Sequence, residues 1–144
     1  MKRILLAIGA VAIGVTAVAA QDAIATRKQL MKANGQEAKI GSAMVKGGAP
    51  FDLAKAKAVF AAYADAADKM GALFPPNSMT GGETTASPKI WEAKADFDAK
   101  LKKFGEEART AGAATKDLDS FKASFATVMR NCGGCHETYR IKKS

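Results

Sequence analysis

Close to the C-terminus stand Cys132, Gly133, Gly134, Cys135 and His136, two thiols three positions apart with an imidazole next to the second. On a helix those three side chains share one face, against which a flat macrocycle can lie. Donors of these types at this spacing form the attachment site of c-type haem: the thiols become thioethers to the haem vinyl groups and the imidazole reaches the iron. The chain's 2 cysteines and 1 histidine all fall within these five residues. Other uses of the same residues fit less well. A disulfide across Cys-x-x-Cys closes so short a loop that it stabilises little. A thioredoxin-like pair belongs in a βαβ setting, and no strand pattern surrounds this one. A zinc site takes about four ligands, and there is no further Cys or His to complete it.

The N-terminus supplies a compartment for that chemistry. Lys2 and Arg3 precede an apolar run from Ile4 to about Val18 that ends in Ala17, Ala19 and Ala20. This is the pattern of a secretory signal, with cleavage expected after Ala20 and a mature domain of residues 21–144. The run is short for a membrane span and rich in Ala and Gly, so no span is expected in the mature chain. Export places the two thiols in an oxidising compartment, the bacterial periplasm, where they are joined to haem or oxidised. The chain carries a formal charge of +8, and the leader holds two of those positive charges and no acid. The mature surface is therefore moderately basic, which suits acidic partner proteins. Basic and aromatic residues are not interleaved as in nucleic-acid binders, so that role is not expected.

Four helix-period segments have to position the motif, and none reads as a strand. The first spans about Asp22, as N-cap, to Lys46, before Gly47-Gly48-Ala49-Pro50. Ile24, Met31, Ala38 and Val45 repeat every seven residues along it, beside a second stripe of Leu30, Ala33, Ile40 and Met44. Two stripes imply more than one neighbour. Gly35 and Gly41 inside this helix point to close approach of another helix or of a flat ligand. The second segment starts at Asp52 and ends near Phe74, because Pro75-Pro76 removes two amide donors. Asn77 to Ala86 reads as the one long loop. Ser87 and Pro88 open the third segment, with Ile90, Trp91, Phe97, Leu101, Phe104 and Ala108 on its apolar face and an end near Gly112. The fourth opens at about Asp117, and its stripe of Leu118, Phe121, Phe125 and Val128 runs directly into Cys132, Cys135 and Tyr139. The expected fold is all-α, an antiparallel four-helix bundle with haem near one end, and Gly133 and Gly134 leave room for the porphyrin edge.

His136 supplies one axial ligand of the iron, and the chemistry turns on the other. Lacking a second His, the protein has a Met sulfur, less readily a Lys, or nothing for that place. Met129 lies on the same helix only seven residues before His136, and Met79 falls in the polar loop. In an up-down-up-down bundle the first helix begins at the end where the fourth finishes, which brings Met31 level with the motif. Met44 lies about 20 Å further along that helix. Met70, near the end of the second helix, is the other candidate.

Cys-x-x-Cys-His close to the C-terminus of a four-helix chain, followed by Tyr139-Arg140, resembles the class II cytochromes c, the cytochrome c′ family. The resemblance extends over Val45–Asp52 between the first two helices and Ser87–Trp91 opening the third. It implies either a low-spin iron closed by a Met of the first helix or a high-spin iron with an open distal side. The segment Leu30-Met31-Lys32-Ala33-Asn34-Gly35 is similar to the low-spin cytochrome c-556 branch, and Met31 matches its ligating Met. Arg27 and Arg140 match positions that neighbour the haem propionates in the family. Family members also often pair through their first two helices, which implies a homodimer.

The expected function is periplasmic electron transfer to redox partner proteins, with one covalent haem c whose iron is held by His136 and Met31. The alternative is a five-coordinate protein that binds nitric oxide or carbon monoxide. An enzyme is not expected, since no second His stands ready as acid or base beside the iron.

Overall fold

A computed structural model describes residues 11–142. Its helices are α1 (Val11–Val45), α2 (Leu53–Met70), α3 (Lys89–Glu92), α4 (Lys94–Ala114) and α5 (Leu118–Tyr139). The long ones, α1, α2, α4 and α5, form an antiparallel four-helix bundle. Among the described residues there is no strand, only one isolated bridge between Ala86 and Arg140.

The helix ends follow local chemistry. Asp52 caps α2 by accepting from the Lys55 amide at 3.0 Å. Asp117 and Ser120 cap α5 reciprocally: the Ser120 amide donates to Asp117 Oδ1 at 2.8 Å, and the Asp117 amide donates to Ser120 Oγ at 3.0 Å. Gly47, at φ 75°, ends α1. The Gly48 amide reaches Ala43 O at 2.9 Å and the Gly47 amide reaches Met44 O at 3.3 Å, the two bonds of a Schellman turn.

Two boundaries depart from the sequence reading. Asp22 does not start α1; the helix runs unbroken from Val11, because the Ala-rich stretch before Asp22 contains no residue that stops a helix. The first ten residues of the expected signal, Lys2 and Arg3 among them, lie outside the described span. The third segment is two helices. Ala93 leaves helical geometry at φ −126°, ψ 47°, separating the single turn α3 from α4. The break lets Trp91 donate its indole N–H to Phe74 O at 3.1 Å and Pro75 O at 3.2 Å, while Trp91 and Phe97 both pack on Phe74, at centroid distances of 5.7 and 4.8 Å.

The core has two parts. At the end where α1 and α4 finish, Met44, Val59, Phe60, Tyr63, Phe121, Phe125 and Val128 close a dense cluster. At the other end Met70, Phe74, Ile90, Phe97, Leu101 and Tyr139 form a second cluster beside the cysteines. Phe60 meets Phe121 edge-on at 5.5 Å, a geometry worth about 0.5–1.5 kcal/mol beyond the area it buries.

Gly35 and Gly41 of α1 divide the roles anticipated for them. A Cβ at Gly41 would collide with the Phe125 ring, its Cζ at 2.7 Å, so Gly41 is where α5 crosses α1. A Cβ at Gly35 would meet nothing within 4 Å, and this glycine borders the cleft described below. Gly41→Ala is expected to destabilise the bundle by about 1–3 kcal/mol through overpacking, read as a lower urea midpoint at unchanged slope.

Candidate haem site

Where the second core cluster leaves α1 and α5 apart, the bundle is hollow. Two cavities of about 460 and 530 Å³ share Met31, Gly35, Met70, Leu101, Cys135 and His136, and so form one continuous cleft. Each volume alone is within the range of about 300–1,000 Å³ typical of cofactor pockets.

The motif is helical, as α5 runs on to Tyr139. Cys132, Cys135 and His136 are each half-buried and line the cleft. Both thiols are free, and burial pushes the pKa of each upward, for Cys135 partly offset by Lys100. Burial, and then the positive Arg140, pulls the His136 imidazole down. The ring is thereby held neutral, the form that ligates a metal. Gly134 lines the cleft, whereas Gly133 does not.

Two polar ties to α4 bracket the pentapeptide and hold α5 in place. Just before Cys132, Asn131 Nδ2 donates to Glu107 Oε2 at 2.6 Å. Hydrogen bonds from Lys103 and then Asn131 keep the Glu107 pKa low. Three residues after His136, Tyr139 Oη donates to Asp96 Oδ2 at 2.5 Å, which pushes the Tyr139 pKa up to about 12. Neither tie was read from the sequence, since each joins residues of two helices with no local spacing to mark the pair.

Met31 lines both halves of the cleft, with its side chain 40% exposed and outside either core cluster. Met70 also lines it, but at 2% exposure it is locked into the second cluster. Met44 is buried at the far end. Met129 Sδ accepts from Tyr63 Oη at 3.7 Å.

Arg27 differs most from a solvated helix charge. It is 4% exposed, with its guanidinium 4.8 Å from the Phe74 ring centroid. Nη1 donates to Leu73 O at 3.1 Å and Ser78 Oγ at 2.9 Å; Nη2 donates to Ser78 O and Thr84 Oγ1, both at 2.8 Å. All four acceptors are neutral, so Arg27 brings an uncompensated positive charge to the cleft it lines, and burial lowers its pKa. Arg140 lines the same half from an exposed position at the end of α5.

These residues fit a haem. Two thiols and a neutral imidazole share one helix face, a thioether side chain stands on the helix across the cleft, and two guanidinium groups border one end. The sequence model of the Cytochrome C′ family matches residues 22–140. The chain belongs to the cytochrome c′ family. A cytochrome c′ of Rhodopseudomonas palustris is 47% identical over 128 residues, covering 89% of this chain and 88% of that one. A cytochrome c-556 of the same organism is 33% identical, covering 99% of each. The solved structure of cytochrome c′ from Rhodopseudomonas palustris superposes with a TM-score of 0.83 at 46% identity, covering 85% of this chain and 98% of that chain. As a member of the cytochrome c′ family the protein binds iron-containing haem c covalently and is not an enzyme. No helix among the described residues is long and apolar enough to cross a membrane.

Proposed function

We propose that the protein is a periplasmic one-electron carrier, freed of residues 1–20, in which Cys132 and Cys135 hold haem c, His136 is one axial ligand and Met31 the other. Met31 carries this reading: it lines both halves of the cleft and is not committed to the core, unlike Met70 and Met44. Bound haem c supplies an Fe(II)/Fe(III) couple, and Met/His ligation raises its potential. The chain's own part is to fix both ligands. The Asn131–Glu107 and Tyr139–Asp96 ties hold α5, and Arg27 locks α1 to the loop beside the cleft, so little has to move when the charge changes. The buried charge of Arg27 and the exposed guanidinium of Arg140 suit the propionates at that end.

A second reading, a five-coordinate site open to nitric oxide or carbon monoxide, draws on the same exposure of Met31, which leaves its sulfur free to stand aside. Carbon monoxide separates the two. If Met31 closes the site, the open form is a minor state of about 0.1–10%, and Met31→Ala should bind carbon monoxide about 10- to 1,000-fold faster than wild type when reduced. Equal rates in stopped flow would favour the gas-binding reading. Exposed Ile40 on α1 and Leu53 on α2 support pairing of two copies through those helices.

A further inference from the structure

The basic character of the chain is not spread evenly. Besides buried Arg27, the cleft is bordered by Lys28, Lys32, Lys100, Lys103, Arg130 and Arg140, against a single carboxylate, Glu107. The whole chain has 22 basic and 14 acidic residues, so the imbalance belongs to this face. Glu107 is already occupied by Lys103 and Asn131, and Lys100 is paired with Asp96 at 3.9 Å. The acids of α2 and α4 that form ion pairs with Lys69, Lys94, Lys102 and Arg109 border no part of the cleft. Lys28, Lys32, Arg130 and Arg140, by contrast, have no ion pair among the described residues. Two propionates would neutralise only part of this excess.

We propose that the rim of the cleft, centred on Lys32 of α1 and Arg130 of α5, is the docking surface for an acidic redox protein. This rests on the electron-carrier reading and adds to it which face meets the partner and by what chemistry. This local excess of positive charge lies at the opening, so an approaching anionic surface is drawn toward the haem before contact. Such steering raises association rates by about 10- to 1,000-fold and fades as salt shortens the Debye length. In the encounter one electron leaves the reduced iron and reduces the partner's centre by one; no bond forms or breaks and no proton moves.

The test uses the reduced holoprotein in stopped flow with two probes of opposite charge, ferricyanide and tris(phenanthroline)cobalt(III), across ionic strength. Lys32→Glu/Arg130→Glu is compared with Lys57→Glu/Lys122→Glu, which changes net charge equally. Lys57 is about 20 Å along α2 from Met70 and Lys122 about 15 Å along α5 from Cys132, both towards the far end of the bundle, and neither borders the cleft. For wild type, oxidation by ferricyanide should slow with salt and oxidation by the cobalt complex should quicken. The rim variant should slow the ferricyanide reaction by about tenfold or more at low salt, while the distant pair changes it far less. Equal slowing by both pairs would reduce the effect to net charge and overturn the proposal. So would rim-dependent binding to phosphatidylglycerol vesicles with no change in ferricyanide rate. Failure of the Met31 reading appears separately, as a high-spin spectrum in wild type and all variants.

Discussion

The double variant Cys132→Ala/Cys135→Ala is expected to emerge with no covalent haem, seen as a denatured chain whose mass is that of the polypeptide alone. No other thiol exists to form a thioether. The loss should reach beyond colour. A group held only by the folded state stabilises that state in proportion to its affinity. Without it the bundle keeps cavities of about 460 and 530 Å³ side by side, lined by Met70, Leu101 and Phe104. The apo variant should therefore melt well below the holoprotein, with early loss of protection at the cleft end and better survival of the Phe60–Phe121–Phe125 cluster, readable by hydrogen exchange. A covalently coloured double variant would contradict the attachment outright.

Arg27→Ala is expected to cost roughly 3–5 kcal/mol, a large share of the stability of a domain this size. Four hydrogen bonds from the guanidinium hold Leu73, Ser78 and Thr84. Removing the donor leaves Ser78, which is fully buried, with an unpaired carbonyl, and it empties the space over Phe74 and Trp91. The melting temperature should fall by about 10 °C or more. Arg27→Lys keeps the charge but cannot span four acceptors, and should recover only part of the loss. If Arg27→Ala melts within a degree or two of wild type, the network is not what holds the loop to α1.

The sequence carried the motif and the bundle well because both rest on local spacing. Cys132, Cys135 and His136 are neighbours in the chain, and the stripe from Leu118 to Val128 sets the face on which they stand. The caps at Asp52 and Asp117 are short-range patterns, and both appear in the structure. What escaped reading depends on distant partners. The break at Ala93 has no Pro or Gly to announce it; it is imposed by Trp91 reaching Phe74 and Pro75. The resemblance marks Arg27 as a neighbour of the propionates, but its burial and its hydrogen-bond network escaped reading because the acceptors lie about fifty residues away, in a loop whose path cannot be inferred from composition. Gly35 and Gly41 look alike in sequence and differ only in what faces them. The basic rim was hidden for the same reason: net charge records how many lysines there are, and only the fold gathers six basic side chains around one opening.

The central claim is that Met31 completes the iron's coordination opposite His136. Electron paramagnetic resonance of the oxidised holoprotein at neutral pH reads the spin state directly. A low-spin signal that becomes high-spin in Met31→Ala is the predicted result, and a wild-type signal already high-spin and unchanged by the substitution would contradict it.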